Sequence, residues 1–251
     1  MAAVRSDRIG VPTGLHERRV LAWLRSRGSD ALAGRVVWGA AALSSGHGAG
    51  RRLRKLLDDD LEIVPLAVAA AEPPAELARQ LDAMLAGVPS PRPLGAAARA
   101  AYARGAEVAE PALGIRVRPG DVVVLHDCFT VSFAAALRDC GVHAVWHLRR
   151  RPGSPAPCVR AAIDFLDRGG GAAVDAVLID ERQGGDGEEL VTAFLPAAQL
   201  LDIRKVSLGG DAEPAERVAL AWISLLGDIV EEDRADHVGG TIQARPVVAA
   251  R

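Results

Sequence analysis

The chain has 251 residues, 49% of them hydrophobic and 25% charged, which is usual for a globular protein that buries a core. Its formal net charge of −2 argues against nucleic-acid binding, because that affinity comes mainly from lysine and arginine that neutralise phosphates. The three cysteines form no CxxC pair, and no apolar run approaches the ~20 residues of a membrane helix, so we expect neither disulfides nor membrane insertion but a cytoplasmic protein.

Apolar segments alternate with amphipathic ones along the chain. Pro65 falls within the second predicted strand, and proline cannot donate to a sheet ladder, so we expect that strand at an edge. The continuous apolar run of residues 121–125 predicts a strand buried on both faces. The predicted strands are residues 35–38, 61–68, 121–125, 143–148 and 173–179. The predicted helices are residues 16–27, 51–57, 73–85, 96–108, 129–140, 158–167 and 216–230.

This alternation is typical of βαβ units joined by right-handed crossovers. We therefore predict an α/β fold: a single Rossmann-like domain over residues 31–210, with a mostly parallel sheet and helices on both faces. Residues 1–30 would form an N-terminal helical extension, and residues 211–251 a C-terminal helix followed by an irregular tail from Asp236.

Ligands of parallel sheets bind at the carboxyl ends of the strands, which directs attention to the loop after the first strand. Gly46, His47 and Gly48 lie in this loop, which opens a helix whose N–H groups suit an anion or a sugar oxygen. The loop matches neither the GxGxxG nor the Walker A pattern, and a tight turn without a ligand is an equal alternative.

Two further strand ends carry polar side chains. His126 and Asp127 follow the strongest strand and can hydrogen-bond hydroxyl groups; alternatively, Asp127 caps the next helix. Trp146, His147 and Arg149 end the neighbouring strand, where arginine can clamp a phosphate, although arginine runs are more often solvated loops. The chain has no zinc-hydrolase or serine-hydrolase pattern, and no Asp-x-Asp pair stands at the end of a predicted strand, so we predict no metal and no cofactor.

Together these segments resemble the retaining, two-domain (GT-B) glycosyltransferases of the trehalose synthase and trehalose phosphorylase type. The resemblance covers residues 30–208 and depends mainly on the block Gly120–Asp127, which is similar to that family's Gly-Asp-hydrophobic-His-Asp-Pro-Gln strand. Cys128 and Phe129 stand where the family has Pro-Gln. No second set of βαβ signals follows residue 210, where the family's donor-nucleotide domain would begin.

The resemblance implies the acceptor half of such an enzyme, with hexosyltransferase ancestry but without activity of the chain alone. His126 and Asp127 would then be the candidate catalytic residues, and a donor-domain protein a possible partner. Three alternatives stay open: half of a split glycosyltransferase, a non-catalytic binding, regulatory or assembly module, and an unrelated Rossmann-like domain. The residues implied to bind a sugar or sugar phosphate are Gly46, His47, Gly48, His126, Asp127, Trp146, His147 and Arg149.

Overall fold

A computed structural model of the chain describes residues 26–42, 57, 63–68, 72–114, 116–148, 157–169, 173–180, 202–206 and 215–239. Within these ranges the strands are β1 (Val37–Ala42), β2 (Ile63–Val68), β3 (Val122–Leu125), β4 (His143–Leu148), β5 (Ala176–Asp180) and β6 (Asp202–Val206). The helices are α1 (residues 26–31), α2 (Glu72–Leu85), α3 (Ala96–Gly114), α4 (Ala134–Asp139), α5 (Pro157–Arg168) and α6 (Ala215–Gly239), with a 3-10 turn at Thr130–Phe133.

The described strands form one sheet in the order β2-β1-β3-β4-β5-β6, and every neighbouring pair is parallel. This confirms the predicted Rossmann-like α/β fold, and β2 with its Pro65 lies at an edge as expected. The chain first steps outward from β1 to β2 and then returns to place β3 on the other side of β1. The strand order therefore reverses between β1 and β3.

Helices cover both faces of the sheet because the side chains of each strand alternate between two apolar layers. Val123 and Leu125 of β3 pack in the layer formed with α2, α3, α4 and α5. Val122 and Val124 pack in the opposite layer, where α6 supplies Trp222 and its apolar neighbours. The predicted two-sided coverage is thus confirmed, and the sheet lies at the centre of the core.

The amino ends of β1 and β3 are joined through Asp121, which is 4% exposed. Its carboxylate accepts hydrogen bonds from the Val36 amide (3.1 Å), the Trp38 indole Nε1 (3.0 Å) and the Arg118 amide (3.0 Å). The preceding Gly120 has a φ of +86°, and the Arg35 guanidinium donates to its carbonyl. Gly120 and Asp121 therefore fix the backbone that leads into β3.

Two glycines hold α6 close to α1. A Cβ atom on Gly227 would lie 2.7 Å from the Gly28 Cα, and one on Gly28 would lie 2.6 Å from the Ile223 carbonyl oxygen. Arg27 of α1 also donates from Nε to the Glu231 carboxylate at 3.0 Å. These contacts fix α6 across its face of the sheet.

The sequence patterns are least accurate at the ends of elements. The helix α6 continues to Gly239, so the prediction of an irregular tail from Asp236 is wrong for residues 236–239, and residues 240–251 lie outside the described part. The strand β1 runs to Ala42, beyond its predicted end at Trp38, and β6 has no counterpart among the predicted strands. None of the helices in the described ranges is long and apolar enough to cross a bilayer.

Candidate functional site

The strand order reverses between β1 and β3, and open parallel sheets usually bind ligands at the carboxyl ends of the strands at such a switch point. Ala40 of β1 pairs with Leu125 of β3, and the His126 amide donates to the Ala40 carbonyl at 3.0 Å. His126 therefore lies beside the carboxyl half of β1. The predicted glycine loop, with Gly46, His47 and Gly48, follows β1 in the chain but lies outside the described residues.

His126 meets His147 at this edge, and we call these two residues the histidine pair. Leu125 pairs with Trp146 across β3 and β4, so the next residue on each strand, His126 and His147, lie side by side on the same face. Their Nδ1 atoms are 3.3 Å apart, a distance at which one imidazole donates and the other accepts. Their exposed fractions are only 2% and 1%.

The histidine pair is packed beneath α6. The His147 ring lies edge-on to the Trp222 indole, with 5.3 Å between ring centroids and an interplanar angle of 85°. The two imidazoles are also edge-on to each other, 5.5 Å apart at 80°. The pair thus lies between the sheet and α6, at the carboxyl ends of β3 and β4.

Asp127 caps the turn that follows β3. Its carboxylate Oδ1 accepts a hydrogen bond from the Thr130 amide at 2.9 Å, and its own amide donates to the Thr130 hydroxyl at 3.3 Å. This reciprocal pair satisfies backbone donors at the start of a helical segment. The capping role that the sequence allowed for Asp127 is therefore present, and contact between Asp127 and a ligand stays a prediction.

The other residues predicted for the site are placed differently. Trp146 is 3% exposed and packs in the core on the α2–α5 side of the sheet, the face opposite to its neighbour His147. Arg149 lies outside the described residues. The structure thus brings His126 and His147 together, and it turns Trp146 to the other layer; Asp127 follows His126 in the chain. Ligand binding by any of them stays a prediction.

A polar cluster that the sequence analysis missed lies on the α2–α5 side. The Tyr102 hydroxyl of α3 donates to the Cys128 carbonyl, and the Cys128 thiol donates to the Asp82 carboxylate of α2 at 3.0 Å. Burial raises the pKa of Tyr102 well above its usual value, and the neighbouring Cys128, Asp127 and Asp82 raise it further. The cluster fastens α2 and α3 to the turn after β3.

A second missed residue is Asp180, which ends β5 at the same carboxyl edge. Its signal in the sequence was a polar residue directly after an apolar run, the same pattern that drew attention to His126.

Metal ligation is a separate question. Over the ranges that the structure describes, there is no group of three or more His, Cys, Asp or Glu placed to hold a metal ion.

Comparison with known proteins gives a likeness in fold. No protein-family model matches the chain, and no curated protein matches its sequence. Among solved structures, the chain is similar to the N-terminal domain of trehalose-6-phosphate phosphatase from Candida albicans, at 12% identity and a TM-score of 0.52. The likeness establishes a shared fold. It covers 82% of this chain and 55% of that one, so this chain spans about half the length of that protein.

These findings overturn the resemblance to retaining glycosyltransferases of the trehalose synthase type, including the reading of the fold as a GT-B half. The physical reason lies in the block Gly120–Asp127 that carried the resemblance. Gly120 and Asp121 form the entry of a parallel strand, four apolar residues form its body, and Asp127 caps the next turn. Sheet geometry alone therefore accounts for most of that motif.

Proposed function

We propose that this chain is a sugar-phosphate-binding domain whose ligand lies at the carboxyl edge of the sheet, between β1 and β3. The observation that carries the proposal is the histidine pair, His126 and His147, at the strand ends beside the switch point. Imidazoles at such an edge can bind hydroxyl or phosphate oxygens. The similar fold of a trehalose-6-phosphate phosphatase domain supports a phosphorylated sugar as the ligand class.

Binding is favoured over catalysis by the contacts of Asp127. A carboxylate that acts as a general acid or base must reach the reacting proton, whereas the Asp127 carboxylate accepts the Thr130 amide in a buried turn. The proposed module therefore recognises its ligand, and a role in regulation or assembly would follow from that recognition.

The test is a thermal-shift and calorimetry screen of the whole chain with trehalose 6-phosphate, glucose 6-phosphate, trehalose and inorganic phosphate. A ligand at about a hundred times its Kd stabilises the folded state by about 2.7 kcal/mol. For a chain of this length that raises Tm by roughly 5 to 11 °C. A flat response to all four compounds would refute the proposal.

A double variant separates binding from folding. In His126→Leu/His147→Leu, both hydrogen-bonding partners are replaced by apolar residues of similar size, a change that is often nearly neutral for stability. We expect this variant to fold and to lose the ligand-induced shift. The matched control is His143→Leu, at the amino end of the same strand and buried on the same face, which should keep the shift.

A further inference from the structure

We draw no further inference here: the strongest candidate, the exposed surface formed by the proline-rich loop before α3 and the outer face of that helix, carries Val88, which is 55% exposed, but nothing in the described part of the structure shows what covers it.

Discussion

Replacing Asp121 by alanine should destabilise the fold more than any ordinary change of a surface carboxylate. The buried Asp121 carboxylate accepts hydrogen bonds from Val36, Trp38 and Arg118, at 3.0 to 3.1 Å. Hydrogen bonds to a charged group are worth about 1.5 to 3 kcal/mol each. When the carboxylate is removed, the Val36 and Arg118 amides can hydrogen-bond water instead, because they are at more exposed positions, whereas the Trp38 indole is buried.

We therefore expect Asp121→Ala to lower the free energy of unfolding by about 2 to 4 kcal/mol. For a chain of this length that corresponds to a fall in Tm of roughly 4 to 16 °C. The assay is urea unfolding followed by tryptophan fluorescence, with Tm from calorimetry. Asp164→Ala is the matched control, because Asp164 is an exposed carboxylate in α5, and it should change the stability by less than about 0.5 kcal/mol.

A double-mutant cycle tests the contact itself. Trp38→Phe removes the indole donor, and in combination with Asp121→Asn the two losses should overlap, giving a coupling energy of about 1 to 2 kcal/mol. Additive effects, or an Asp121→Ala variant as stable as the Asp164 control, would show that the buried carboxylate does not hold β1 to β3 and would refute the reasoning.

Two further predictions concern Tyr102 and Gly227. Tyr102 is the single tyrosine of the chain, and its pKa is raised in the folded state. The unfolded chain therefore loses the phenol proton at a lower pH than the folded chain does. The contribution of Tyr102 to the free energy of unfolding is fully present below about pH 10 and falls above it by up to about 1.4 kcal/mol per pH unit. Ultraviolet titration should show tyrosinate forming together with unfolding, and formation near pH 10 in the folded chain would contradict this. Gly227→Ala should lower the free energy of unfolding by about 1 to 3 kcal/mol, because the new Cβ atom would meet Gly28. Gly95→Ala is the control, since there is open space around Gly95, and it should lower that free energy by less than about 1 kcal/mol in the same urea assay.

The central strands could be predicted from the sequence because burial on both faces leaves an unmistakable pattern. Residues 122–125 form a continuous apolar run, and they lie in the middle of the sheet. The edge strand β6 (Asp202–Val206) was missed because its Asp-Ile-Arg-Lys-Val sequence has no such run. An edge strand bonds to a neighbour on one side and needs fewer apolar residues, so its own sequence specifies it weakly.

The candidate site was predictable in part. The sequence placed His126 and His147 at strand ends, since each closes an apolar run. It could not place them side by side, because that depends on the register in which Leu125 pairs with Trp146. It also grouped Trp146 with its neighbour, although successive residues of a strand face opposite layers. Chain proximity is therefore a poor guide to which polar residues share a site.

The histidine pair is the part of the carboxyl edge that sheet-building does not explain. Asp121 hydrogen-bonds groups at the start of β1 and β3, Asp127 caps the turn after β3, and Trp146 packs in the core, so each has a structural role. The layer under Trp222 would be filled equally well by two aliphatic side chains, which carry no polar atoms to desolvate. The two imidazoles hydrogen-bond each other through Nδ1, and that bond adds little stability beyond what aliphatic side chains would supply. The proposed ligand site depends on this pair for that reason.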